Sequence, residues 1–125
     1  MTASKKFPGL RFLISMLFMT MVCFPSVAFA ATPQANDDAV PTDEDQQVVI
    51  QALANDDLGD EPTRIYQVGS PIHGSATFDD TTVTYTPDPN YNGNDEAFFY
   101  WIEDTDGDTS RGTIEVTVNP VNDPP

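Results

Sequence analysis

Short stretches of strict two-residue alternation, each closed by a cluster of turn residues, constrain this chain more than any other feature. In Thr113-Ile114-Glu115-Val116-Thr117-Val118 every second side chain is apolar, which places Ile114, Val116 and Val118 on one face of a strand. Val83 and Tyr85 repeat the pattern within Thr82–Thr86. Val48–Leu53, Arg64–Val68, Ser75–Phe78 and Phe98–Glu103 read as further strands, and Asp38–Pro41 as a short edge strand ended by its proline. Between them lie Asn55–Asp60, Pro71–Gly74, Asp79-Asp80, Pro87–Asn94 and Asp104–Asp108, rich in Asp, Asn, Gly and Pro. No segment holds an apolar 3.6 period for more than a turn, and 11 Pro argue against a helical bundle. About seven strands at roughly 8–12-residue spacing predict an all-β fold, an antiparallel Greek-key β-sandwich of the cadherin or immunoglobulin kind.

Residues 1–30 read as a signal peptide. Lys5, Lys6 and Arg11 precede an apolar run, Phe12–Phe24, and Ala28-Phe29-Ala30 supplies the small-x-small pattern for cleavage. The run is short for a bilayer span and Pro25 interrupts it, so no membrane insertion is expected after cleavage. Val22 before Cys23 does not suit a lipoprotein signal, and Cys23 is the only cysteine. The module predicted for residues 31–121 must therefore be rigid without a disulfide. Removing the three early cations takes the formal charge from −15 to −18 and leaves only Arg64 and Arg111 positive. Such a field repels phosphate backbones and anionic headgroups and excludes nucleic acid as a partner.

The motifs, taken in order, carry a resemblance. Ala35-Asn-Asp-Asp-Ala39, Asp43-Glu-Asp45, Leu53-Ala-Asn-Asp56, His73-Gly74, Tyr85–Gly93, Phe98-x-Tyr100-x-Ile102-x-Asp104 and Val118–Pro125 together resemble a bacterial cadherin-like, immunoglobulin-like repeat, the kind strung in tandem in exported adhesins. One departure is visible. Phe98 lies five residues after Gly93 where the family usually has four, so Glu96 or Ala97 reads as an insertion. Residues 122–125 resemble the start of a linker to a following repeat, which suggests a fragment or a truncated array.

The resemblance implies calcium. Cadherin-like modules bind Ca2+ through an acid near the first strand, acids of two loops and Asn/Asp of the linkers. Carried over, the candidates are Glu44, Asp56, Asp57, Asp104 and Asp106, with Asn36, Asp37, Asn122 and Asp123 from the linkers. Ca2+ takes six to eight oxygen ligands, and residues 31–125 hold no lysine to compete. The plain alternative is that these acids are solvated turn residues bonded to their own backbone. Asp104-Thr-Asp-Gly-Asp108 is no EF-hand, since its Gly precedes the third Asp and no Glu follows at the twelfth position.

Catalysis finds little support. His73, the only histidine, sits in a turn before Gly74, and there is no nucleophile elbow and no phosphate loop. Tyr85, Tyr91, Phe98 and Tyr100 fit the core and strand crossover of the repeat. Phe99 and Trp101 face opposite to Phe98, Tyr100 and Ile102. They either form an open apolar patch, suited to polysaccharide or a neighbouring protein, or are disturbed by a bulge that turns one ring inward. The expected function is a non-enzymatic, exported module, a calcium-stiffened spacer or cell-adhesion unit whose partners are neighbouring repeats or other surface proteins. The alternative is a carbohydrate-binding accessory module using Phe99 and Trp101. Location is periplasmic, cell-surface or extracellular.

Overall fold

The computed structural model describes residues 29–122, so nearly all of the expected leader, and Asp123 of the linker, lie outside the described residues. Among the described residues seven strands run in order: β1 Asp38–Asp43, β2 Val48–Ile50, β3 Arg64–Val68, β4 Gly74–Phe78, β5 Val83–Pro87, β6 Gly93–Glu103 and β7 Thr109–Asn119. They form a four-stranded sheet, β1-β7-β6-β3, facing a three-stranded sheet, β2-β5-β4. All pairings are antiparallel except β1 with β7. This is the immunoglobulin-like sandwich that the alternation predicts.

The core is the sum of the inward positions. Ile114, Val116 and Val118 of β7, Val83 and Tyr85 of β5, and Phe98, Tyr100 and Ile102 of β6 are all buried, joined by Ile50 and Ile65. Several strand limits differ from the sequence reading, with β6 starting at Gly93 and β7 at Thr109, and three differences bear on the site. β2 stops at Ile50, because Gln51–Asn55 turns instead of extending and its Ala54 N–H returns to the Gln51 carbonyl. β1 does not end at Pro41 but continues to Asp43. Pro41 lies on the sheet edge, where one side of the strand has no partner to receive an N–H. The irregularity in β6 falls between Gly93 and Glu96, before Ala97, and the alternation is intact from Glu96 onward. Glu96 is therefore no loose insertion. It is 1% exposed and belongs to the inward row.

The described residues before β1 and after β7 lie at opposite ends of the sandwich. The strand registers place residues 31–37, 51–63, 79–82 and 104–108 at one end, the N-terminal pole. Residues 44–47, 69–73, 88–92 and 119–122 form the other, the C-terminal pole. β1 separates them by about 20 Å at roughly 3.3 Å per residue.

One close approach sets the spacing between β6 and β7. Gly112 is paired with Tyr100, and a Cβ on Gly112 would come within 2.6 Å of the Tyr100 ring. Gly112→Ala must push that ring out of the core or shift the strand, at a cost of about 1–3 kcal/mol. Urea unfolding of the variant should show the loss as a lower midpoint with an unchanged slope.

Candidate functional site

Polar groups concentrate at both poles, and each pole is organised by a side chain of the inward row. At the N-terminal pole the row brings the Tyr100 hydroxyl up under the first linker, 2.8 Å from the Asn36 carbonyl and 2.9 Å and 3.0 Å from the two Asp56 carboxylate oxygens. Asp56 also accepts from the Asn36 N–H at 2.8 Å, and the Asn36 amide donates to the Asn55 carbonyl at 2.7 Å. Burial, followed by the charge of Asp56, raises the Tyr100 hydroxyl above the ordinary tyrosine range. Burial likewise raises Asp56. Asp38 joins the cluster with its Oδ2 buried and unpartnered among the described residues. Desolvation first, then the charges of Asp56 and Asp37, pushes Asp38 up to about 6.

Several of the remaining acids of this pole accept backbone N–H groups. Asp104 is 4% exposed, and its Oδ1 accepts the N–H groups of Asp106 at 3.0 Å and Asp108 at 2.9 Å. Asp57 accepts from the Gly59 N–H at 3.1 Å, and Asp37 from the Thr113 N–H at 3.0 Å. Asp106 is exposed beside Asp60, and a hydrogen bond to that second carboxyl raises its pKa. The bonds of Asp104 and Asp57 are the turn-capping kind that Asp forms in loops, whereas that of Asp37 ties the first linker to β7.

The C-terminal pole holds two buried carboxylates. Glu44 is 6% exposed, and its Oε1 accepts the Val121 N–H at 2.8 Å and the Asn92 amide at 3.3 Å. Its own N–H donates to the Asn119 carbonyl. Glu96 accepts the N–H groups of Ile72 at 2.9 Å and His73 at 2.7 Å, and the Tyr85 hydroxyl at 2.9 Å. The His73 ring stacks on Tyr91 with centroids 4.3 Å apart. His73 and Glu96 thus form a loop clasp.

The candidate ligands therefore fall into two groups. Asn36, Asp37, Asp56, Asp57, Asp104 and Asp106 lie at the N-terminal pole, with Glu44 and Asn122 at the other. Among the described residues no three acids converge closely enough to hold one ion. The sequence reading passes over three participants. Glu96 is hidden by counting it as an insertion, although extending the Phe98-Tyr100 alternation back one step places it inward. Tyr100 and Asp38 are hidden because their meeting depends on the pairing of β1 with β7 and β7 with β6.

Phe99 and Trp101 both point away from the core, on the outer face of the four-stranded sheet, so the bulge turns neither ring inward. Phe99 is 41% exposed and Trp101 half-buried, with centroids 6.0 Å apart and planes inclined at 66°. The Arg111 guanidinium lies over the Phe99 ring at 4.2 Å.

Two measurements probe this polar framework. Glu96→Gln replaces one acceptor by a donor facing a buried N–H, and should cost about 1–3 kcal/mol in urea unfolding. Asp38 binds its proton more tightly folded than unfolded, so its contribution to stability is complete below the unfolded carboxylate range and is lost as pH rises through about 6. Asp38→Asn should melt higher than the parent at pH 7 and reduce the fall in melting temperature between pH 4 and about 6, to which Asp56, raised in the same direction, also contributes.

Comparison with known proteins bears on the same residues. A family model described as a bacterial Ig domain matches residues 30–117. The chain is also 34% identical over 86 residues to Protein GAMETE EXPRESSED 2 of Arabidopsis thaliana, an alignment that takes in 69% of this chain and 9% of that protein. The chain thus spans about a tenth of the length of that relative.

Proposed function

Because the chain belongs to the family of bacterial Ig domains, we propose that it works as a non-catalytic, exported module, a spacer or adhesion unit set in series with neighbouring repeats and stiffened by calcium where two repeats meet. The observation that carries this reading is that Ala31 and Val121, which flank the strands, lie at opposite poles. Ala31 is held at one pole by its N–H to Asp60, and Val121 at the other by its N–H to Glu44. A unit entered at one end and left at the other adds length along its own axis, and each copy touches only its neighbours.

Charge supports the calcium part. Asp43, Glu44, Asp45 and Asp88 crowd the C-terminal pole, while Asp37, Asp56, Asp57 and Asp60 crowd the N-terminal one. Stacking copies end to end brings like charges within a Debye length, and a divalent cation relieves that repulsion. Within one copy both carboxylate oxygens of Asp104 and of Asp56 are engaged by backbone N–H groups and the Tyr100 hydroxyl, whereas the bonds given above for Glu44 and Asp37 run through one oxygen each. An ion would be shared between Glu44 and Asn122 of one repeat and Asn36 or Asp37 of the next, with affinity of about 10^-4–10^-3 M.

A second reading, an accessory module that binds carbohydrate, is favoured by the outward position of Phe99 and Trp101.

Two copies of residues 31–125 joined in series test the first reading. Calcium, and not magnesium at equal ionic strength, should raise the melting temperature and lengthen the particle in small-angle scattering, with the gain lost on Glu44→Gln. Equal behaviour in EDTA, calcium and magnesium would remove the ion and leave an acidic spacer.

A further inference from the structure

Resting on the carbohydrate reading and narrowing it, we propose that the outer face of β6 binds an uncharged oligosaccharide. The glycan lies along the strand from Trp101 across Phe99 into the cleft beside Ile72, with Arg111 supplying hydrogen-bond donors.

The aromatic pair begins the site. Phe99 and Trp101 are successive outward positions of a strand hydrogen-bonded to both neighbours, β7 on one side and β3 on the other, so their backbone is held as firmly as any in the molecule. Inclined at 66°, the two rings make a corner and not one flat shelf. The corner offers the Trp101 ring, and the part of Phe99 that Arg111 leaves uncovered, to consecutive sugar rings of a twisted chain, whose C–H faces pack on aromatic rings while their hydroxyls project sideways.

Polar groups stand where those hydroxyls would fall. Arg111 of β7 and Gln67 of β3 are the partners of Trp101 on its two sides, and both are exposed. The Arg111 guanidinium carbon sits 4.2 Å over the Phe99 ring centroid, which holds a set of N–H donors beside the aromatic pair. On the far side of Phe99 a cleft of about 230 Å³ opens between Ile72 and Ala97, with Gly69 in its wall. A Cβ on Gly69 would come 3.4 Å from the Phe99 backbone and 3.9 Å from the Trp101 ring, so the missing side chain leaves the space beside the Trp101 ring open.

Charge selects the class of glycan. Arg64 and Arg111, the cations left after Arg11, both lie on this face, and Arg64 is paired with Glu103 at 3.5 Å. Glu115 of β7, exposed in the same outward row as Arg111, balances the second cation, so the face is close to neutral on a chain whose residues 31–125 carry −18. A polyuronate or sulfated glycan would meet the field of the acidic poles, whereas a neutral glycan meets none.

Titrating the protein with cellohexaose, chitohexaose and mannohexaose, with polygalacturonate as the charged comparison, reads the site directly through Trp101, the only tryptophan. At least one neutral hexasaccharide should shift the emission saturably, with an affinity indifferent to salt. Phe99→Ser and Arg111→Ala should each weaken it about tenfold or more, and Arg111→Lys should recover only part of the loss because it lacks the planar fork. Circular dichroism melting of Arg111→Ala, a substitution at the surface, checks that the fold persists. Preference for polygalacturonate, fading as salt rises, would overturn the uncharged class while leaving the carbohydrate reading in place. Binding that ignores both substitutions would overturn the site, and no saturable response to any of the four would overturn both the inference and the reading beneath it.

Discussion

The inward row of β6 is the constraint on which the rest of the molecule hangs. Glu96, Phe98, Tyr100 and Ile102 are buried in strict alternation, and the two apolar members fill the sandwich while the two polar ones reach out of it toward opposite poles. Glu96 gathers two backbone N–H groups and a tyrosine hydroxyl, and in doing so holds the crossing from β3 to β4 against the sheet. Tyr100 meets Asn36 and Asp56 and seats the first linker. A buried carboxylate or hydroxyl is tolerable only when it is bonded, and each bond here is made to a loop that would otherwise be free. One row therefore sets core thickness and loop position together. In a chain with no cysteine after residue 23, these bonds take over a task that small exported domains often give to disulfides.

The same row decides what lies outside. Because Phe98 and Tyr100 face in, Phe99 and Trp101 must face out, and pairing with β7 and β3 brings Arg111 and Gln67 beside them. The outer face consequently differs in kind from the poles. The poles collect acids whose carboxylates cap turns, and Asp104 with its two N–H partners is the clearest case. The face collects aromatic rings and cations on rigid strands. Asp38 is where the acid-rich design strains, its buried oxygen standing unpartnered between Asp37 and Asp56 among the described residues.

Much of the fold is legible in the sequence. Burial of alternate residues in β5, β6 and β7 follows from apolar side chains at every second position, since a pleated strand has no other way to hide them together. β3 can be read to its limits because turn-forming residues flank it, whereas β2 reads too long, since Ala52 is buried in a turn and mimics a strand residue. The outward placement of Phe99 and Trp101 is the same arithmetic. Glu96 escapes recognition because a charged residue in the inward row contradicts the hydropathy pattern, and only its three partners make it stable there.

What the sequence by itself determined is everything that depends on spacing along one strand: the class of fold, the inward and outward rows, the acidic surface and the turns that Asp and Asn close. Those are local, and a two-residue period and the backbone-bonding habit of short polar side chains are sufficient to produce them. Only the tertiary structure decided which acids are neighbours. Asn36 and Asp56 come together with Tyr100, while Glu44, eight residues after Asn36, is carried to the other pole. Distances of that kind depend on the register between strands far apart in the chain. Register is set by the packing of both sheets at once, which no segment read alone contains.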